Sequence, residues 1–372
     1  MHIELERTGT VQAFEKTLKS ITNRPSVNGV LVLACDANCF MSDEVDIILK
    51  SCPVPLAGGI FPGLLCSQEK IEKGTIVIGL STAPSIITVK GMSNPEVDFD
   101  KLLYQEFDNL EITDTILVFT DGFASRISAL INAMFINLGI ETNIIGGGSG
   151  SLSLEKKPAI LSNEGMLMDV SLLILINTKS IINVSHGWTP VKGPFKVTES
   201  EGNVIKSLDW MPAFNIYREV IRDHSGQYIS KENFERVSMS YPFGISMMFC
   251  DHIVRDPVKM TDDGSLVCVG GVEEGAFVDI LHGNSESLIE ASRTIATNHD
   301  ILNLGEKSVA LIVDCISRAI FMADSFEEEL KAINLPDIPL IGMLSFGEIA
   351  TQTQESLEFH NKTTVLSVLE EL

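Results

Sequence analysis

No apolar run in this chain is long enough to cross a bilayer as a helix. The longest, Val170-Ser171-Leu172-Leu173-Ile174-Leu175-Ile176, spans seven residues, where a spanning helix needs about 20. It reads instead as a strand buried on both faces. The opening Met1-His2-Ile3-Glu4-Leu5-Glu6 has neither the basic segment nor the apolar core of an export signal, so a cytoplasmic location is expected. Basic residues are scarce: 27 Lys and Arg stand against 50 Asp and Glu, a formal net charge of −23. No basic stripe offsets that field, which repels phosphate backbones and anionic lipid. Nucleic acid and membrane insertion are therefore not expected, while a locally basic pocket for a small anion remains compatible.

Several chemistries are missing as well. The cysteines number seven and lie scattered through apolar segments, the usage of reduced core thiols. The densest group, Cys35, Cys39, Cys52 and Cys66, lacks the close pairs of a zinc site. No metal or cofactor is expected. A phosphate-binding GxxxxGK[ST] motif is absent, and Gly147-Gly148-Ser149-Gly150-Ser151 lacks the G-x-S-x-G spacing of a nucleophile elbow. Cys250 and His252, two apart in an extended segment, point opposite ways, and Asp262-Asp263-Gly264 has the composition of a turn. No catalytic residue is assigned.

What is present is repetition. At 372 residues the chain has room for two or three domains. An apolar strand, a helical pattern, a strand entering a Gly-rich turn and returning strands follow one another from Gly29 to Val89. The same order recurs from Thr115 to Val184, where Ser180-Ile181-Ile182-Asn183-Val184 echoes Ser85-Ile86-Ile87-Thr88-Val89. A third, incomplete copy runs from Val309 through an acidic helix around Phe326–Leu330 to Gly347. A strand-rich stretch with tight turns separates the second and third copies. These patterns predict an α/β protein of repeated strand-helix-strand units in mixed sheets covered by helices. Two domains are expected, 1–223 with two repeats and 224–372 with the strand-rich insert and the third.

Glycine at a strand end provides positive φ or close approach of another backbone or a ligand. Gly58 and Gly59, and Gly146, Gly147, Gly148 and Ser149, are accordingly candidate ligand contacts. Leu152-Ser153-Leu154 after the second turn has no helical stripe and soon meets Pro158, so a dinucleotide loop is not supported. Two polar-aromatic groups accompany the turns: His186 with Trp188, and Phe346 and Glu348 with His360 and Asn361. Together they have the donors, acceptors and apolar walls of a small-ligand pocket. The alternative is an enzyme with the turns as an anion or oxyanion cradle and Glu348 or His360 as acid or base.

Ser185-His186-Gly187-Trp188-Thr189-Pro190-Val191 resembles a segment of the N-terminal domain of FIST proteins, and Glu201-Gly202-Asn203-Val204 and Pro212-Ala213 continue the likeness. Pro242-Phe243-Gly244-Ile245, Arg255-Asp256-Pro257-Val258, Phe346-Gly347-Glu348-Ile349-Ala350 and Glu358-Phe359-His360-Asn361-Lys362-Thr363 resemble the C-terminal FIST domain. The chain departs from the usual family pattern at Phe346, often Tyr, and at Lys362, often Gln. The resemblance implies a signal-transduction input module for a small ligand such as an amino acid or related metabolite. It also implies output through a separate partner, such as a histidine kinase, chemoreceptor or other signalling protein.

Overall fold

The computed structural model describes residues 2–108, 110, 113–139, 141–247, 251–297, 307–333, 335, 337–352 and 356–371. Each repeat is built on a parallel strand pair: Gly29–Cys35 with Leu56–Phe61, Thr115–Asp121 with Asn143–Ser149, and Val309–Cys315 with Leu340–Ser345. A parallel pair needs a crossover, and helices such as Ser42–Lys50 and Ile127–Leu138 supply it. An antiparallel strand flanks each pair: Thr75–Leu80, Val170–Ile176 and Thr364–Leu369. Beyond these lie the outer strands His2–Glu6, Ser85–Lys90 and Ser180–Ser185. The two Ser-Ile-Ile echoes thus occupy equivalent edges.

On its other side each pair takes a hairpin from a different repeat. Gly63–Cys66 of the first repeat pairs with Leu340–Ser345 of the third. Ile160–Ser162 of the second pairs with Leu56–Phe61 of the first, and Glu348–Gln352 of the third with Asn143–Ser149 of the second. The exchange closes in a ring, so no repeat completes its sheet alone.

The alternation of side chains decides how the sheets stack. Leu31, Leu33 and Cys35 face a shared core with Leu117 and Phe119 of the second sheet and Leu311 and Val313 of the third. Val30, Val32 and Ala34 face the other way, under Phe14 and Leu18 of helix Val11–Thr22 and Val45 and Leu49 of helix Ser42–Lys50. Both faces are buried, and this is why the strands read as unbroken apolar runs. Helices cover the outer faces of the second and third sheets in the same manner.

Two sequence expectations change. The third repeat is complete: its edge strand is Ser180–Ser185, and a strand-rich module separates that strand from Val309–Cys315. In the module, strands Ile253–Arg255 and Pro257–Met260 form opposite edges of one sheet, yet only Asp256 separates them in the chain. The sheet therefore curls until its edges meet, around an apolar core that includes Tyr217, Phe243 and Ile280. Second, the Gly-rich segments are strands and not turns. Gly58 and Gly59 lie inside Leu56–Phe61, and Gly146, Gly147 and Gly148 inside Asn143–Ser149.

Candidate functional site

The glycines are central-strand residues with ladder neighbours on both sides. Gly58, Gly146 and Gly342 are equivalent, opposite Val32, Val118 and Ile312. A β-carbon there would lie 2.2, 1.9 and 2.0 Å from the facing carbonyl oxygens. One on Gly59 would lie 2.3 Å from Ser149 Oγ of the second repeat, and one on Gly147 2.8 Å from Ser345 Cβ of the third. At Gly148 the obstacle is the Phe346 carbonyl, at 2.4 Å. Gly59 and Gly147 thus bring one sheet against the next, whereas Gly58, Gly146 and Gly342 give close approach to the neighbouring strand of their own sheet.

His186, Trp188, Glu348, His360 and Asn361 are brought close to the third repeat but lie buried. Trp188 donates its backbone N–H to His186 Nδ1 at 2.9 Å and its indole Nε1–H to the Lys362 carbonyl at 3.0 Å. Gly187, with φ at +76°, makes the intervening bend. Glu348 and His360 sit opposite each other in a hairpin. Glu348 accepts from Ser345 Oγ at 2.7 Å, and burial pushes its carboxyl up to about 8. Burial lowers His186 to about 4 and His360 to about 3, with the Arg255 and His186 charges adding to the effect on His360. Both imidazoles are neutral at pH 7. His360 Nε2 and Asn361 Oδ1 have no hydrogen-bond partner among the described residues. Phe346 is half-buried, its ring 4.8 Å from that of Phe123.

Two charged anchors tie these segments to the module and to the covering helices. Lys362, fully buried, donates to Ser317 Oγ at 2.9 Å and pairs with Asp256 Oδ2 at 3.2 Å. Its ammonium lies 5.3 Å from the centre of the Trp188 ring, where the ring face favours a cation. Arg318, also fully buried, pairs with Glu329 at 2.6 Å and with Asp314 at 3.7 Å. It further donates to the His186 carbonyl at 2.5 Å and the Leu288 carbonyl at 2.8 Å. Burial, reinforced by the Glu329 charge, drives the Asp314 carboxyl well above its usual range.

One accessible feature beside these buried residues is a groove. Two adjoining cavities of about 600 and about 320 Å³ share Ser128, Gly271 and Phe359, a volume typical of ligand sites. One wall is the start of helix Ile127–Leu138, and the facing wall is the module from Val267 to Gly271. Arg255, Glu358 and Phe359 line the smaller end. Arg255 donates from Nε to the Gly271 carbonyl at 2.9 Å and from Nη1 to those of Val254 and Phe359 at 3.0 and 2.9 Å. Behind the groove, Gly347 at φ +89° leaves room for the Phe359 ring, which a β-carbon would approach to 2.2 Å.

Residues 30–211 match the FIST N domain and residues 213–351 the FIST C domain. The chain belongs to the FIST family. FIST domains are associated with sensory signal transduction. An uncharacterised protein of Methanocaldococcus jannaschii is 23% identical over 335 residues, which is 82% of this chain and 61% of that protein. The chain thus spans less than two thirds of that relative's length. None of the described helices is long and apolar enough to cross a membrane.

Seen on this FIST scaffold, the motifs acquire places. Arg255-Asp256 and Phe359–Lys362 bond to each other, so two segments a hundred residues apart form one junction. Their charges amid apolar neighbours were the available signal for burial. Ser128 and Asn132, on the groove side of an apolar helix, carry no such signal. Cys250 lies outside the described residues.

Proposed function

We propose that the protein is a sensory input module that seats a small ligand in the groove between helix Ile127–Leu138 and the strand-rich module. The observation that carries this reading is the continuity of the two cavities, with walls from the second repeat and the module and a floor from the third repeat. A ligand there touches all three, so its occupancy biases their relative position. An amino acid or related metabolite is the class to screen first, since Arg255 and Glu358 at one end offer a guanidinium and a carboxyl to its two charges. His186, Trp188, Phe346, Glu348, His360 and Asn361, with the glycines and Ser149 beneath them, form the packed layer behind the groove. In this reading they pass occupancy on to a separate signalling protein, such as a histidine kinase or chemoreceptor.

A thermal-shift screen of amino acids and related metabolites tests the proposal, run on the wild type and on Ser128→Trp. Ser128 is exposed on the groove wall, so a bulky side chain there fills the space with little effect on the core. The expected result is stabilisation of the wild type by at least one compound and none of the variant. Equal stabilisation of both proteins would place the ligand elsewhere and overturn the reading.

A further inference from the structure

Arg255 makes no direct ion pair among the described residues, and the opposing charge it feels is that of Glu358, which lines the same cavity. Only 6% of it is exposed, and the three acceptors it meets, the carbonyls of Gly271, Val254 and Phe359, are neutral. No ion pair to it and no acceptor for Nη2 occurs among the described residues, although the side chain lines the smaller cavity. A buried guanidinium in this state is costly, and an anion that pairs with it relieves the cost. Burial accordingly lowers Arg255 to about 10.

The rest of the lining is mixed: Ser128, Asn132 and Glu273 add polar groups at the Arg255 end, and the larger cavity is the more apolar of the two. Next to Arg255 stand Ile131, Ile245, Met247 and Ile253. Past Phe359 the larger cavity continues along Val258, Val267 and Val269. From Ile127 to Asn132 the helix wall alone advances about 7–8 Å, and Gly122 to Arg126 lengthen it. A free amino acid occupies only the Arg255 end of such a space.

We propose that the groove takes an organic acid with an extended apolar tail, its carboxylate paired with Arg255 and its tail running past Phe359 toward Val258 and Val267. The proposal rests on the groove being the ligand seat and names the class that fills it. Glu358 shares the charged end, and burial raises its proton affinity against the pull of Arg255. Only a protonated Glu358 accommodates a second carboxylate beside Arg255, and Glu358→Gln stands in for that form.

Calorimetric titration with decanoate, decan-1-ol and leucine tests the class, on the wild type, Arg255→Gln, Glu358→Gln and Ser128→Trp. Decanoate should bind the wild type at least about tenfold more tightly than decan-1-ol, the worth of one charge-assisted pair. Arg255→Gln should erase that difference, Glu358→Gln should keep it, and Ser128→Trp should abolish binding. If Arg255→Gln does not fold, the decanoate-to-decanol ratio in the wild type and its persistence in Glu358→Gln decide the matter. Equal binding of acid and alcohol, or loss of the preference in Glu358→Gln, overturns the proposal. Leucine binding that Ser128→Trp blocks, with no decanoate binding, overturns the ligand class while the groove stands. Decanoate binding that Ser128→Trp leaves intact overturns both.

Discussion

The Lys362 ammonium reaches the Asp256 carboxylate at 3.2 Å across the junction between the strand-rich module and the third repeat, and Ser317 bridges the two. Asp256 is also the single residue at which the module's sheet edges meet. The pair therefore pins the module's closure and its seat on the core at one point.

Lys362→Gln should destabilise this chain by about 3–5 kcal/mol, because it leaves Asp256 buried without its cation. Adding Asp256→Asn should return the protein toward wild type, since no lone charge is then left. Urea unfolding of the two single variants and the double variant measures the coupling. Strictly additive losses would show that the pair does not act as a unit.

Arg318→Met should cost a similar amount, about 3–5 kcal/mol, as it strands Glu329 beside Asp314 and frees the His186 and Leu288 carbonyls. Here the anchor joins the covering helices to the turn at His186, so hydrogen exchange should rise first at 185–188 and 285–296. A uniform rise over the whole chain would contradict a local anchor.

Stability should fall as pH rises from about 4.5 toward 8 through Glu348. Its carboxyl titrates near 8 in the fold against 4.5 when unfolded, so the native state holds the extra proton across that window. The slope is at most about 1.4 kcal/mol per pH unit. Glu348→Gln should remove this decline, and its stability relative to wild type should grow with pH. A pH-independent difference would mean that Glu348 is already ionised in the fold.

The buried histidines act in the opposite sense. Folded values near 4 for His186 and near 3 for His360, against 6.5 unfolded, give stability that is full above pH 6.5 and lost as pH falls toward 4 and 3. His360→Gln should reduce that acid loss. An acid limb identical to wild type would remove His360 as its cause.

The repeat symmetry makes a prediction of its own. Gly58→Ala, Gly146→Ala and Gly342→Ala meet equivalent carbonyls and should each cost at least about 1–3 kcal/mol through overpacking. Gly275→Ala, at φ +90° with nothing within 4 Å of the added carbon, separates backbone strain from crowding. Circular dichroism melts of the four variants provide the ranking, and a tolerated Gly342→Ala would break the equivalence.

Much of the fold was legible because apolar runs with both faces buried leave a plain mark. Gly29–Cys35, Thr115–Asp121 and Val309–Cys315 announce themselves as strands, and the Ser-Ile-Ile echo marks equivalent edges. The glycines were legible as a need for close approach, but not as strand residues, since what approaches Gly59, Gly147 and Gly148 belongs to another repeat. The same limit applied to His186 and His360: their residue types suggested a pocket, whereas both are buried where the 186–188 segment meets Lys362 and Arg318 from far along the chain.

The sequence by itself determined three copies of one α/β unit, a strand-rich interruption, an acidic surface and membership of a recognisable family, because periodicity, composition and motif order are local properties of the chain. Only the tertiary structure decided that the copies exchange hairpins in a ring and that Asp256 closes the module onto Lys362. It alone placed the groove beside Arg255. Those features follow from which strand edges and which buried charges find each other across more than a hundred residues, and that pairing is settled by packing and desolvation in the folded whole.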